Sequence, residues 1–472
     1  MTGLNHSLNI SSQSLYNAQQ GIDTTSHNIS NAQTEGYSRQ DVRLKQREPF
    51  LKQGVLIGDG AYIAGIVRSR DRFLDRQVNS THSALGRSEG RYNALTELES
   101  FYGPEMNADI TGEMDNFFDS LQTLSTNPEE MTIRTSLQER GKSLAFAFNQ
   151  SDRNLKIFRD NINERIKDSI DTLNGTLTSI AQLNLKIRES EYGEARTGND
   201  LRDQRDLLVH KLSESLGINY YEDQFGMTTL RSADGSLLVD RGYSSKFGIR
   251  KNNDGMYDVL LLDSEGEVSR NLTGYLKDGS LGALIDVRDN VVKDMLEQND
   301  TLAFTFASKV NEVHKQGFGL GEYSLSNSRN FFEHLESAAH AGQNIKLDAV
   351  VAGSTNAISA ASTPQAIGDN VVVNRLLQLK NQRVLSNGTA TFTEFYANGI
   401  GILGAETARS AHTRDADKVL FSDLKSKSEN VSGVSLDEEA TNMMKWHSAF
   451  TASSKMIKTI DDMMETVLSL KR

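Results

Sequence analysis

The chain has 472 residues, 37% of them apolar, and a net charge of −12. That length allows two to four domains with cores of their own, and the acidic balance argues against a nucleic-acid scaffold. There is no cysteine, which excludes disulfides, thiolate metal sites and thiol catalysis, and no apolar run is long enough to span a membrane.

Residues 1–22 contain no Lys, Arg, Asp or Glu. The basic region of a cleavable signal peptide is therefore missing, and no continuous apolar region takes its place. Leu8, Leu15, Ile22 and Ile29 fall seven apart, and residues 5–30 read as one amphipathic helix. Asn28 to Gly36 closes it, with Gly36 as a positive-φ stop. Residues 40–72 read as extended, with alternation around Gly54–Gly58 and Tyr62–Val67. Helical periodicity returns through Leu74, Val78, Leu85, Tyr92, Leu95 and Leu98 until Gly103-Pro104 breaks it. A short helix at 110–125 ends at Asn127-Pro128. From 137 to 187 apolar residues keep a three/four spacing with no proline, the habit of a coiled-coil shaft.

The pattern changes at Gly217. Residues 218–275 carry turn signals at Ala233-Asp-Gly235 and Asn253-Asp-Gly255 between apolar runs and read as β-hairpins. A helix is expected from Ser280 to His314, weak patterning over 317–368, and helices at 370–386 and 391–428. Ser435 and Glu438 have the spacing of a capping box opening the last helix. That helix repeats the seven-residue rhythm at Leu436, Met443, Phe450, Ile457 and Met464, and Trp446, Ile460 and Val467 complete an a/d-like seam. Such a seam is too narrow to fold alone and needs a partner helix, so the two ends should meet each other or other subunits.

The expected fold is mainly α with a small inserted β domain: an elongated, nested multidomain rod whose terminal helices pair as a coiled coil on assembly. Its expected units are a terminal coiled-coil domain (1–40 with 431–472), a helical shaft (41–217 with 276–430) and a β insertion (218–275) placed far from both ends. The cluster Asp200, Arg202, Asp203, Arg205 and Asp206 invites a catalytic or metal reading. Alternating charges on a helix are more often a solvated or interlocked ion-pair face, and no activated nucleophile accompanies them. His334 and His340 lie six apart, which misses helical zinc spacing. Gly317–Gly321 lacks the strand and helix of a phosphate cradle. No catalytic, cofactor-binding or metal residues are therefore expected.

Asn28-Ile-Ser-Asn31-Ala-Gln-Thr-Glu-Gly36-Tyr37-Ser-Arg39-Gln40 resembles the N-terminal signature of bacterial flagellar axial proteins, in the version of the FlgK family of hook-associated proteins. Asn199-Asp-Leu-Arg-Asp203-Gln-Arg205-Asp206 is similar to a second stretch of that family, with Arg202 where Leu is more usual. Val434-Ser-Leu-Asp-Glu-Glu-Ala440 resembles a third, and Gly368-Asp-Asn370 and Asn311-Glu-Val-His314 also fit. The resemblance implies a structural subunit joining hook to filament. It would be exported without a cleaved signal by the flagellar type III apparatus and assembled at the hook tip as a homo-oligomeric ring. Implied partners are the hook protein, a second junction protein or filament subunits, and an export chaperone on the C-terminal segment; no nucleic acid or membrane is implied. A hook or rod subunit, or a secreted enzyme carrying the signature, are the alternatives.

Overall fold

The computed structural model describes residues 2–52, 55–102, 109–191, 198–263 and 266–469. Gly54 and the Gly103-Pro104 break lie outside the described residues. The chain opens with α1 (Thr2–Ser30), followed by a β-ribbon of β1 (Gln40–Gln46), β2 (Phe50–Lys52), β3 (Val55–Ile57) and β4 (Ala61–Arg68). In it β1 pairs antiparallel with β4, and β2 with β3. Next come α2 (Arg72–Ser100), α3 (Ile110–Thr126), α4 (Met131–Ser190) and α5 (Asn199–Ser215). The Asp71 carboxylate caps α2 by accepting from the Phe73 and Leu74 amides.

Seven strands follow: β5 (Ile218–Glu222), β6 (Thr228–Ser232), β7 (Leu237–Asp240), β8 (Tyr243–Ser244), β9 (Lys246–Lys251), β10 (Tyr257–Leu262) and β11 (Val268–Asn271). They form two antiparallel sheets, β5-β6-β7-β8 and β11-β10-β9. The turn glycines Gly235 and Gly255 have φ of +88° and +78°, the backbone region that side chains disfavour. Helices resume with α6 (Gly279–Asp286), a π-helical turn at Val287–Val291 and α7 (Val292–His314). The π turn carries the buried Arg288 guanidinium to Asn163 Oδ1 and the Tyr257 carbonyl. After α8 (Ala341–Asn344), α9 (Ala349–Gly353) and α10 (Val371–Gln378) come the long α11 (Phe392–Ser432) and α12 (Leu436–Ser469).

Helix α4 has 60 residues, about 90 Å at the helical rise, and two cores lie along it. Leu137, Leu144 and Phe148 of its N-terminal part share a core with α3, α7, α10 and residues 331–360, rich in edge-to-face phenylalanines such as Phe117, Phe306, Phe331 and Phe332. Leu155 through Ile180 share the other core with Leu95 of α2, Val209 of α5, Leu230 and Val239 of the first sheet, Val259 of the second, and Leu281 of α6.

The β segment packs on the helical shaft along α4. The segment has no core of its own, and its first sheet sits against α5, where the terminal helices are rooted. Period-two strands have to bury one face on something, and the apolar stripe of α4 is the surface that covers it.

The terminal helices pair within the single chain. Gly21 of α1 is buried against the Trp446 ring, and Asn28 bonds Glu439. Seven residues forward on α1 thus match seven back on α12, so the pair is antiparallel.

Candidate assembly site

Three segments that are distant in sequence meet where this helix pair joins the body. The Asn28 side chain is 1% exposed. Its amide donates to the Gln40 carbonyl (2.9 Å) and to Glu439 Oε2 (3.0 Å), and its oxygen accepts from the Gln40 amide (3.0 Å) and the Tyr37 hydroxyl (2.7 Å). One residue thereby ties the end of α1 to the start of β1 and to the first turn of α12. Burial, with Asp200, Asp203 and Glu439 nearby, raises the Tyr37 pKa well above its usual value, so the hydroxyl stays a donor.

Residues 38–40 dock on α5. The Ser38 amide and hydroxyl donate to the two oxygens of Asp203 (2.9 and 2.8 Å). The Gln40 amide donates to Asp200 Oδ1 (2.8 Å), and its oxygen accepts from Asn199 (3.1 Å), which also donates to the Ile66 carbonyl. Asp203 and Asp206 share Arg68 (2.7 and 2.8 Å), and Asp206 also accepts from Arg70 (2.9 Å). Burial raises the Asp203 pKa against the pull of Arg68. At Asp206 burial also works upward, but Arg70, Arg68 and Arg205 outweigh it and hold the carboxyl far below the usual range.

Arg205 is 1% exposed and donates to the Gly226 carbonyl (2.6 Å). Arg202 forks onto both oxygens of Glu191 (2.7 and 2.8 Å) and reaches Glu222 of β5. The alternating charges of α5 are an interlocked ion-pair face rather than a reaction centre, as acceptors and guanidinium forks satisfy one another.

Arg39 turns back onto its own chain, donating to Glu438 (2.7 Å), while its amide donates to the Ser432 carbonyl. The expected capping box at Ser435 is therefore half formed. Glu438 N–H lies 3.5 Å from Ser435 Oγ, but the Glu438 carboxylate is engaged by Arg39. A complete box opens α11 instead, at Thr391 and Glu394. Gly36 has φ +79°, yet α1 ends six residues earlier. A Cβ at Gly36 would stand 3.0 Å from Leu207, so the glycine lets the loop close onto α5. Asn31 stays local, donating to the His27 carbonyl.

Of the apolar seam residues, Ile460 is buried; Leu8, Leu15, Ile22, Met443, Trp446, Phe450, Ile457 and Met464 are half-buried; Ile29, Leu436 and Val467 are exposed. On α1 the stripe that meets α12 runs through Gly21 and Asn28, with Ala18 and Thr25 on the same line and buried. These small residues lie outside the large-apolar heptads and carry little hydropathy signal. Their three/four spacing from Ser11 to Asn28 was the available signal. On the outside of the pair Tyr16, Met444, Met456, Met463 and Leu468 remain more than half exposed.

The minor motifs are pins. Asn311 bonds both amides of Phe331 and Phe332, and Asp369 accepts from Ser362 and Val371. Among the described residues no cluster of His, Asp and Glu could hold a metal ion.

Residues 95–332 match the family described as Flagellar hook-associated protein FlgK helical domain. The chain belongs to the FlgK family of flagellar hook-associated proteins. Residues 425–470 match a second family, Flagellar basal body rod FlgEFG protein C-terminal. The chain is 27% identical to flagellar hook-associated protein 1 of Bacillus subtilis (strain 168) over 99% of both chains. It is 24% identical to that of Salmonella typhimurium over 96% of this chain and 98% of the other. In fold it resembles the flagellar hook junction protein FlgK of Burkholderia pseudomallei, with a TM-score of 0.68 at 15% identity, over 76% of this chain and all of that one. The family is one of structural flagellar proteins, and the polar knot is where residues 28–40, 199–206 and 434–440 of this chain converge.

Proposed function

We propose that this chain joins hook to filament as a ring of identical subunits, with the α1–α12 pair forming the inner assembly seam. The observation that carries this reading is the knot. It fixes the pair at its root through Asn28, Ser38 and Arg39, while the outer apolar residues Tyr16, Met444, Met456 and Met463 are left for neighbouring subunits. A bound neighbour would bury them. Export through the flagellar type III apparatus, assembly at the hook tip beside the hook protein and a second junction protein or filament subunits, and a chaperone holding the C-terminal segment belong to the same reading. An apolar α12 without its partner is a segment that needs such protection.

Met456 and Met463 lie one heptad apart and outward on α12, and a double replacement by Asp tests the seam. In the free chain both side chains are wet, so the melting temperature should hold. In a ring the carboxylates would be desolvated without partners, at several kcal/mol per subunit. Cells should then show hooks without filaments and release both this protein and flagellin into the medium. Normal filaments would refute the seam. Phe450 is a poorer choice, because it is already half-buried in the pair, and changing it disturbs fold and assembly together.

A further inference from the structure

The second half of α11 packs along a half-buried stripe through Ala411, Arg414, Asp417, Phe421, Leu424 and Ser428, with no fully buried side chain. The buried residues of α11 (Phe392, Leu403, Thr407 and Ser410) all lie in its first half. Beyond them Val419 and Leu420 are 71% and 50% exposed. Its polar and aromatic attachments include the Arg414 guanidinium over the Tyr92 ring, the Ser69 hydroxyl donating to the Val431 carbonyl, the Arg39 amide donating to the Ser432 carbonyl, and a cluster of three rings from three helices. In that cluster the near-parallel rings of His82 of α2, His210 of α5 and Phe421 of α11 each face the other two, with centroids 4.3 Å (His82–His210), 4.7 Å (His82–Phe421) and 5.9 Å (His210–Phe421) apart and planes within 16°.

We propose that His82 and His210, stacked beneath Phe421, form a pH-dependent latch that fixes the C-terminal half of α11 on α2 and α5 at neutral pH and releases it on mild acidification. The surroundings favour two neutral rings. His82 Nδ1 faces the His210 carbonyl (3.1 Å), and His210 Nδ1 faces Asn79 Oδ1 (2.9 Å). Both partners only accept, so each Nδ1 carries the proton and each Nε2 is left to take a second one. A proton on His82 meets Glu214 of α5 at 3.8 Å and the more distant Glu89 of α2, but also Lys425 of α11. A proton on His210 meets cations: His82, Lys425, Arg70 and Lys211. The nearby Asp206 is already committed to Arg68 and Arg70.

Burial and these cations push the His210 pKa down to about 4, below that of a free imidazole. Protonation therefore favours whichever arrangement separates the rings. A cavity of about 700 Å³ lined by His210, Asn79, Lys425, Ser428 and residues 32–39 lies beside the stack, giving protons access and α11 room to move. Because the Ser432 carbonyl holds the Arg39 amide, release would loosen the root of the terminal pair.

The chain has no cysteine, so spin labels at Ser80→Cys (α2) and Ser426→Cys (α11), both exposed, report the gap in the full-length protein. One narrow distance is expected at pH 7.5 and a second, longer population by pH 5, reversibly. His210→Phe keeps a ring but cannot titrate, and should hold the narrow distance at both pH values. Lys425→Gln removes a repelling cation from an exposed site and should move the midpoint to lower pH, even if the His210 variant folds poorly. A single distance down to pH 5, broadening of the His210→Phe variant like the parent, or an unmoved midpoint with Lys425→Gln would overturn the latch.

Discussion

Gly21→Ala is the sharpest probe of whether the terminal helices are paired before assembly. A Cβ at Gly21 would stand 2.2, 2.5 and 2.7 Å from Cδ2, Cε2 and Cγ of Trp446. Carbon pairs sit best at about 3.5–4.0 Å, so the helices must part by about 1.4 Å or the indole must turn out. Overpacking of this kind costs about 1–3 kcal/mol, against which alanine gains up to about 1 kcal/mol over glycine inside a helix. The net effect should be a loss of roughly 1 kcal/mol, confined to the α1–α12 pair.

Gly175 in α4 has nothing within 4 Å of its would-be Cβ, so Gly175→Ala should stabilise by about 0.5–1 kcal/mol. Trp446 is the single tryptophan of the chain, so its fluorescence reports the pair alone. For Gly21→Ala the emission should shift to the red and its urea transition should move to lower urea, while far-UV circular dichroism of the body is unchanged. If Gly21→Ala stabilises as Gly175→Ala does and leaves the emission in place, the pair does not exist in the free chain and the packing argument fails.

Asn28→Ala strips four hydrogen bonds from a buried site and leaves the Glu439 carboxylate without its donor. It should cost at least about 2 kcal/mol and raise amide exchange across residues 31–40, and unchanged exchange there would count against the knot. His314 is fully buried between the Arg329 carbonyl, which accepts from Nδ1, and the Ser359 amide, which donates to Nε2, so a second proton on Nε2 would face an N–H head-on. Burial pushes its pKa down to about 4. The folded pKa lies below the unfolded value near 6.5, so the unfolded chain binds more protons between the two. This contribution is therefore complete above about pH 6.5 and is lost as pH falls toward 4, by about 3 kcal/mol. Denaturation of the parent and of His314→Gln at pH 7.5, 6 and 5 checks this, because only the parent should lose the part of this increment that falls above pH 5, about 2 kcal/mol.

Local pattern determined much of this protein. The periodicity from 137 to 187 marked α4, the Asp-Gly turns marked the hairpins of the β segment, and the heptads marked both terminal helices, because each is a rule of spacing along one element. Arg39 shows the limit. Nothing in its spacing along the chain names a partner. Only the fold set Glu438 at 2.7 Å from it, 399 residues away.

The same holds for the convergence of residues 28–40, 199–206 and 434–440, since nothing in the spacing of Ser38 and Asp203 says that they bond. The small-residue stripe through Gly21 was legible in principle but silent, because a glycine shows its purpose only when the ring it admits is in view. The place of the β segment was also tertiary. A strand pattern reveals that one face must be buried, but not which helix buries it, and here the long apolar stripe of α4 drew the sheets onto the shaft beside the root of the terminal pair.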